Sequence, residues 1–274
     1  MPAEPLTLLV DNGSLQPAAT LALRCLAAQL GARLEKTVVP VSLLHSSGID
    51  PHLLGGQPAE ILQSALESRL AAGHNDFIIV PLFFGPSQAL TVYVPDSVAR
   101  LREKYPELRL LLAPPLHSST DDRLALILAD HVRAELNASL AAHTRIALVD
   151  HGSPVASVTK VRNELARQLA RELGDVAAAV APCSMERRPD PAYDFCNPLL
   201  ASLLATPPWT ESRVIVAMQF LLPGRHAGPD GDVAEICRKA ESAHPHLQTR
   251  MTKLVAEHPL LVEILADRWH HVFR

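Results

Sequence analysis

The heptapeptide LLVDNGS at residues 8–14 has the pattern of a buried strand that runs into a tight turn, and it returns 139 positions later as ALVDHGS at residues 147–153. Two further landmarks repeat with nearly the same offset: FIIVPLFF at 77–84 with VIVAMQFL at 214–221, and ILAD at 127–130 with ILAD at 264–267. Self-similarity at a fixed offset is the mark of a repeated structural unit. The sequence therefore predicts an internal duplication.

An amphipathic segment follows each copy of the heptapeptide and predicts a helix. The first helix is expected at 18–30, before Gly31, and the second at 157–173, before Gly174. Glycine often takes the left-handed position just after a helix, so both helices are predicted to end at these glycines.

Apolar strands alternate with helices in each copy. The strands are predicted near 6–11, 36–42, 76–83 and 108–113, and again near 145–150, 176–182, 213–220 and 247–254. Continuous apolar strands are typical of a parallel sheet covered on both faces. We expect an α/β fold of two tandem three-layer α/β/α domains, each with a four-stranded parallel sheet. The domains are predicted at 1–138 and 143–274, with the boundary inside Asn137–Thr144.

The composition argues against a nucleic-acid or membrane partner. The 274 residues carry 25 Lys and Arg against 29 Asp and Glu, a formal net charge of −4, and no basic cluster. No apolar run reaches the ~18 residues of a membrane span, and no segment resembles a signal peptide. Four scattered cysteines without a C-x-x-C pair predict reduced thiols and no iron–sulfur cluster in a cytoplasmic protein.

Three side chains that bind transition metals follow successive strands of the second copy. His151 comes after its first predicted strand, Glu186 after the second and His226 after the third. Ligands of such folds bind at the carboxyl ends of the strands, so we expect these side chains on one edge of the sheet. Taken singly, each is more often a turn, capping or solvated residue. Together they predict a site for a divalent first-row metal with coordination positions left open.

The first copy replaces this ligand set. The matching positions are Asn12 for His151, Gln88 for His226, and Leu44 for Glu186, or His45 if a one-residue gap is allowed. Amide side chains form hydrogen bonds but are poor ligands for transition metals. The first copy is therefore predicted to be degenerate, and the metal site is assigned to the second copy alone.

The ordered motifs of the second copy resemble those of the class II tetrapyrrole chelatases. They read His151-Gly152-Ser153, Met185-Glu186 and Phe220-Leu221-Leu222-Pro223-Gly224-Arg225-His226, and Glu257–Leu261 is similar to the family's final loop and helix. The nearest group is the sirohydrochlorin chelatases of the CbiX and SirB type in their two-copy long form; ferrochelatase is a distant relative. The resemblance covers nearly the whole chain and implies two tandem flavodoxin-like, or chelatase-like, domains.

Three features depart from the family pattern. Pro154 stands where family members often have Arg, and Asp230–Val233 replaces an Asp-Ile-Pro sequence after the second histidine. Long members commonly keep the ligands in their first half, whereas this chain keeps them in its second. These departures leave the identity of the substrate, and turnover itself, open.

The resemblance implies insertion of a divalent metal, Co²⁺, Fe²⁺ or Ni²⁺, into sirohydrochlorin or a closely related tetrapyrrole. The metal is then a substrate, and no organic cofactor is expected. His226 is assigned as a metal ligand, His151 as a ligand or proton acceptor, and Glu186 as a ligand or proton relay, because imidazole accepts protons near neutral pH. Two alternatives stay open: a non-catalytic protein that binds or delivers a tetrapyrrole or metal, and a chelatase for another porphyrin.

An octa-carboxylate substrate such as sirohydrochlorin requires cations and hydrogen-bond donors around it. Arg187, Arg188 and Arg225 adjoin the proposed ligands and suit bidentate contacts with carboxylates, although the first two equally suit a solvated loop pair. The other predicted substrate contacts are Ser14, Ser153, Asn12 and Gln88, with Lys160, Arg162, His45 and His117 as further candidates. The two serines are alternatively simple helix caps.

The two copies in one chain supply the substrate cleft that single-copy relatives make by dimerising. The degenerate first copy is then one wall of this cleft. A monomer is therefore expected.

Overall fold

The computed structural model describes residues 4–136 and 143–273. Most of the predicted domain boundary, residues 137–144, lies outside this range. No helix in the described part of the chain is long and apolar enough to cross a membrane. All four cysteines are free thiols, as predicted.

Each sequence copy forms four strands that alternate with four helices. The first copy contains β1 (Leu6–Asp11), α1 (Pro17–Leu34), β2 (Val38–Ser42), α2 (Leu62–Ala71), β3 (Asp76–Pro81), α3 (Val94–Lys104), β4 (Arg109–Leu112) and α4 (Arg123–Glu135). The second contains β5 (Thr144–Asp150), α5 (Ala156–Leu173), β6 (Ala179–Ser184), α6 (Leu200–Leu204), β7 (Arg213–Met218), α7 (Asp232–Ala243), β8 (Gln248–Met251) and α8 (Leu260–His271). The predicted alternation is confirmed.

The strands form two four-stranded parallel sheets with matching strand order. The orders are β2-β1-β3-β4 and β6-β5-β7-β8. The central strands β1 and β5 are almost fully buried because helices cover both of their faces. In each sheet the central strand and its neighbour end in register, with Asp11 beside Ser42 and Asp150 beside Ser184. The predicted fold class is therefore confirmed, and the two sheets present equivalent carboxyl ends.

The predicted end of the first helix is wrong. Helix α1 continues through Gly31 to Leu34, and Glu35 takes the left-handed position with φ 56°. A Cβ atom on Gly31 would lie 2.8 Å from the carbonyl oxygen of Lys36. This glycine thus permits close packing of the chain that returns to β2, and it does not cap the helix. Helix α5, in contrast, ends at Gly174 as predicted.

The two compact units of the structure do not contain the same chain segments as the two sequence copies. One unit comprises the chain up to Leu116 together with Pro259 onward, and the other comprises His117–His258. Helix α8 therefore packs in the first unit, against α1 and β3, and α4 packs in the second, against α5 and β7. Each unit has its own apolar core around its sheet. The last helix of each sequence copy thus completes the unit built on the other copy's sheet.

Helix α8 is held in the first unit by both apolar and polar contacts. The buried indole of Trp269 donates from Nε1 to Thr7 Oγ1 on β1 at 2.9 Å. The guanidinium of Arg268 donates to the carbonyl oxygens of Pro115 and Leu116 at 3.1 and 2.7 Å. These bonds attach the end of the chain to the first sheet and to the loop after β4.

We expect substitutions in α8 and α4 to act on opposite sheets. Trp269→Ala removes a buried aromatic from the first unit, at a cost of about 3–5 kcal/mol, and should speed amide exchange in β1 and α1 while β5 keeps its protection. Leu128→Ala, in the buried face of α4, should do the reverse. Hydrogen–deuterium exchange measured by mass spectrometry tests both. If each substitution instead speeds amide exchange only in the sheet of its own sequence copy, the division into units is contradicted.

Candidate metal centre

The turn after β5 brings two of the predicted ligands together. Gly152 has φ +93°, and a Cβ atom there would lie 2.0 Å from the carbonyl oxygen of Glu186. The backbone N–H of Glu186 donates to the carbonyl oxygen of His151 at 3.1 Å. Only glycine allows so close an approach in this conformation. The loops after β5 and β6 therefore touch, and residues 151 and 186 are neighbours.

The imidazole of His151 faces the carboxylate of Glu186. Its Nε2 lies 3.4 Å from Glu186 Oε1, and the two side chains are 46% and 61% exposed. The other ring nitrogen, Nδ1, lies 3.0 Å from the carbonyl oxygen of Gly152. If Nδ1 donates its proton to this carbonyl, Nε2 carries the free lone pair. In that tautomer, His151 presents an acceptor to solvent beside a carboxylate.

His226 lies against His151 and is oriented by an aspartate. The ring centroids of the two histidines are 4.6 Å apart, with an angle of 67° between the ring planes. His226 Nδ1 lies 2.5 Å from the carboxylate of Asp232, the first residue of α7. A carboxylate bonded to one imidazole nitrogen fixes the ring and leaves the other nitrogen as a metal donor. Sequence reasoning missed Asp232, because only the loop conformation brings it back to His226.

The three predicted ligands form an open arrangement. Among residues 4–136 and 143–273, no group of three or more His, Cys, Asp or Glu side chains has the geometry of a metal cluster. The structure instead brings His151 close to Glu186 and, separately, to the ring of His226. Two imidazoles and one carboxylate suit a divalent first-row metal and leave positions for exchange. Such an arrangement suits an ion in transit better than a structural ion.

A depression beside Glu186 borders the centre. It has a volume of about 140 Å³ and is lined by Met185, Glu186, Asp232, Glu235, Ile236 and Lys239. This volume has room for several water molecules. The depression therefore has room for a hydrated ion. Its lining carries three carboxylates and one cation, Lys239, which pairs with Glu235 at 2.6 Å, so the net negative charge favours a cation.

A buried polar network lies beneath the exposed ligands. Asp150 precedes His151, and its Oδ1 accepts from Ser184 Oγ at 2.6 Å and from the Gly152 N–H at 3.1 Å. Burial raises the pKa of the Asp150 carboxyl, while the bond from Ser184 and the nearby charge of Arg162 act in the opposite direction. Sequence reasoning did not assign Asp150 or Ser184. The available signal was the repeated Asp-x-Gly-Ser, which marks the aspartate as part of the turn.

Two buried thiols of this unit, Cys183 and Cys237, do not extend the ligand set. Burial raises the pKa of the Cys183 thiol, and it raises that of Cys237 to about 11. Both groups are protonated at neutral pH, whereas metals bind the thiolate.

The first copy has the same turn with different side chains. Gly13 has φ +87°, a Cβ there would lie 1.8 Å from the carbonyl oxygen of Leu44, and the Leu44 N–H donates to Asn12 at 3.3 Å. Leu44 is therefore the structural counterpart of Glu186. His45 is the next residue, with a left-handed φ of 67°.

The third position differs more between the copies. Gln88 leads into a short π-helical turn, Ala89–Tyr93, whereas His226 lies in an irregular loop before α7. Asn12, Gln88, His45 and His117 have no structural feature that assigns them to a substrate. Their role as contacts, and the absence of metal from the first copy, stay predictions.

The three arginines that are predicted to contact the substrate differ in how closely they already pair with other side chains of the protein. Arg187 pairs with Asp194 at 2.9 Å, and Arg188 donates to Tyr193 Oη at 3.1 Å and lies over its ring. Arg225 is 79% exposed and 3.8 Å from Asp232. Arg225 is thus the most available of the three for a carboxylate, while Arg187 and Arg188 order their own loop.

The remaining predicted contacts lie at or near the helices that follow β1 and β5. Ser14 Oγ and Ser153 Oγ accept from the N–H groups of Gln16 and Val155, each at 3.1 Å. These bonds order the chain that leads into each helix. Lys160 is exposed, but Arg162 is 1% exposed and lies inside the protein. The suggestion that Arg162 contacts substrate is therefore wrong.

The structure is that of a duplicated α/β protein whose second copy carries the candidate metal centre. A family model, CbiX, matches residues 6–135 and 145–272. The chain therefore belongs to the CbiX family, in agreement with the resemblance seen in the sequence, and it carries two family repeats. No curated protein sequence matches it.

Solved structures share the fold at low sequence identity. SirB from Bacillus subtilis with Fe³⁺ is 15% identical with a TM-score of 0.73, over 98% of this chain and 96% of that one. The sirohydrochlorin chelatase SirB from B. subtilis subspecies spizizenii in complex with cobalt is 15% identical with a TM-score of 0.70, over 98% and 95%. CbiX, described as the terminal enzyme for biosynthesis of siroheme in denitrifying bacteria, is 18% identical with a TM-score of 0.61, over 98% and 99%.

We expect Gly152→Ala to disturb the metal centre and Gly13→Ala to spare it. Both substitutions force a Cβ into a backbone carbonyl and should cost about 1–3 kcal/mol from overpacking alone. Only the first displaces Glu186 from His151, so Co²⁺ affinity measured by titration should fall for Gly152→Ala and stay unchanged for Gly13→Ala. Gly73→Ala, with φ +91° and open space around its Cβ position, isolates the conformational cost. Equal Co²⁺ affinity in all three variants would contradict the assigned geometry.

Proposed function

We propose that this protein inserts a divalent metal ion into sirohydrochlorin or a closely related tetrapyrrole. The observation that carries the proposal is the proximity of His151 to both Glu186 and His226 in a chain of the CbiX family. SirB structures with Fe³⁺ and with cobalt support a metal ion as the substrate. Co²⁺ and Fe²⁺ are the leading candidates because the SirB structures hold iron and cobalt, and Ni²⁺ is a third. Affinity alone follows the Irving–Williams order and favours Ni²⁺ over both, so availability decides the physiological ion.

The reaction requires that water leave the ion and that two pyrrole protons leave the macrocycle. His226 is the proposed ligand for the incoming ion, since Asp232 fixes its ring through Nδ1 and leaves Nε2 free. The open arrangement lets this ion exchange water for pyrrole nitrogens. The depression beside Glu186 is the proposed place for the hydrated ion before insertion.

His151 and Glu186 are the proposed route for the protons. His151 Nε2 accepts a proton from the macrocycle and passes it to Glu186, 3.4 Å away. Glu186 is 61% exposed, so it can release the proton to water. A histidine bound to the metal through Nε2 cannot use that nitrogen as a base, which separates this role from that of His226. The alternative role of His151 as a second ligand predicts a different Co²⁺ spectrum in His151→Ala.

The carboxylates of the substrate are proposed to bind near the exposed cations of the second copy. Arg225 is the leading contact because it is the most exposed and adjoins His226. Arg187 and Arg188 would contribute only by exchanging their present partners, Asp194 and Tyr193. Arg225→Gln should therefore raise KM for sirohydrochlorin more than it lowers kcat.

We expect His226→Ala to reduce metal insertion by at least ~100-fold, since losing a ligand should cost no less than losing the carboxylate that orients it. The assay is anaerobic incubation with sirohydrochlorin and Co²⁺ or Fe²⁺, followed by absorbance. His246→Ala, at an exposed histidine just before β8, is the matched control and should retain full activity. Wild-type protein no faster than the spontaneous reaction would overturn the enzymatic proposal and favour a binding or delivery protein. Full activity in His226→Ala would overturn the site.

The assignment of the metal to the second copy has its own control. The double variant Asn12→Ala and Gln88→Ala should still bind one Co²⁺ per chain. Loss of Co²⁺ binding in this variant would show that the first copy supplies ligands.

Asp232→Asn tests whether the carboxylate orients His226. An amide can still accept a hydrogen bond from Nδ1 but does not carry the charge that strengthens the imidazole as a donor. We expect Co²⁺ affinity to fall about 10- to 100-fold, the usual effect of losing a carboxylate bonded to a ligand histidine. Asp230→Asn, two residues earlier in the same loop, is the control for charge alone. Equal losses in both variants would assign the effect to the net charge of the loop.

A further inference from the structure

Arg162 is a cation inside the protein, on the face of α5 that covers the second sheet. Its side chain is 1% exposed. A buried guanidinium is costly unless its donors are bonded and its charge is balanced. Nε and Nη2 donate to Asn163 Oδ1 at 3.1 and 2.9 Å, and Nη1 lies 3.8 Å from Asp150 Oδ1. The two hydrogen bonds that Nη1 donates show which parts of the chain this buried guanidinium connects.

Nη1 of Arg162 joins the two ends of the loop that carries Glu186. It donates to Ser184 Oγ at 2.6 Å and to the carbonyl oxygen of Cys196 at 2.8 Å. Ser184 is the last residue of β6, and Cys196 ends the 3₁₀ helix Pro191–Cys196 that closes the loop. One charged group thus fixes the positions at which this loop leaves the sheet and returns to it.

The same network reaches the turn that carries His151. Ser184 Oγ donates to Asp150 Oδ1 at 2.6 Å, and Asp150 is the residue before His151. Cys196 Sγ donates to the carbonyl oxygen of Ser153 at 3.2 Å. Cys196 is therefore bonded directly to the His151-Gly152-Ser153 turn, and Ser184 is bonded to it through Asp150, which accepts from the Gly152 N–H. Arg162 itself contacts neither ligand.

The first copy retains the aspartate and the serine but not the cation. Asp11 and Ser42 correspond to Asp150 and Ser184 in strand register. Leu23 of α1 occupies the position that Arg162 has in α5, and it is also buried. Asp11 Oδ1 is buried and has no hydrogen-bond partner among the described residues. The copy without the cation is also the copy with Leu44 in place of Glu186. The buried arginine therefore accompanies the ligand set and not the fold.

We propose that Arg162 is a positioning residue of the metal centre, which holds the Glu186 loop against the His151 turn. This inference rests on the proposed function in that the positioned groups are those that handle the metal and the protons. Leucine is the informative substitution, because the first copy folds with Leu23 at this place. Arg24 is the matched control, since it donates to the carbonyl oxygens of Leu54, Gln57 and Pro58 and so fastens a loop of the first copy.

The test compares Arg162→Leu, Arg162→Lys and Arg24→Leu in the full chain. Arg162→Leu should lower Co²⁺ affinity about 10- to 100-fold, in the range for residues that orient ligands, and should shift the visible Co²⁺ spectrum. It should lower kcat more than it raises KM for sirohydrochlorin. Arg162→Lys, which keeps the charge but reaches fewer acceptors, should recover part of the affinity. Arg24→Leu should leave the spectrum and the affinity unchanged.

Amide exchange measures the positioning without turnover. Residues 185–196 should exchange faster in Arg162→Leu, and residues 54–60 in Arg24→Leu. If Arg162→Leu fails to fold, Ser184→Ala removes one of the two Nη1 acceptors and should give the same shift in the Co²⁺ spectrum. An unchanged spectrum, affinity and loop exchange in the folded variants would overturn the inference. If the wild-type protein binds Co²⁺ but has no turnover, the proposed reaction is overturned. The positioning role of Arg162 is then still tested by the Co²⁺ spectra and the amide exchange of the variants.

Discussion

The candidate metal centre depends on one close backbone approach, that of Gly152 to the carbonyl oxygen of Glu186. The space there admits no Cβ, and the left-handed φ favours glycine independently. The ends of β5 and β6 are thereby locked together, and residues 151 and 186 face solvent as a pair. The same approach recurs at Gly13 and Leu44. The fold therefore provides two equivalent positions for a pair of neighbouring side chains. The second copy fills its position with His151 and Glu186, which can bind a metal, and the first copy fills its position with Asn12 and Leu44.

Much of the fold follows from the sequence because apolar runs specify buried parallel strands. The duplicated heptapeptide, the alternating helices and the sheet architecture are all confirmed. Gly31 shows a limit, since glycine serves equally as a helix cap and as a point of close packing, and local sequence does not separate the two. The division into compact units shows another. Both ILAD helices have the same apolar face, so their pattern does not specify which sheet each one covers.

The predicted ligands were accessible to sequence reasoning for a topological reason. Parallel strands bring their carboxyl ends to one edge, so residues just past the strands meet there. Asp232 was not accessible, because the path of the loop after His226 decides its position. Arg162 was misassigned as a surface cation, although the sequence held a signal. It lies three, four and seven residues before the buried Leu165, Ala166 and Leu169, on the apolar face of α5.

A comparison of Asp11 with Asp150 distinguishes the interactions that the turn needs in both copies from the interaction that is found only beside the candidate metal centre. Both aspartates are buried, and burial raises the pKa of each carboxyl. In both copies the neighbouring serine and the glycine of the turn lower the pKa, against the effect of burial. The turn therefore forms with or without a neighbouring cation. A buried guanidinium adds a desolvation cost that the first unit avoids with Leu23. In the second unit, Arg162 takes this cost beneath the turn and the loop that carry His151 and Glu186, where it bonds Ser184 and Cys196. This location agrees with the proposal that the buried charge serves the candidate metal centre.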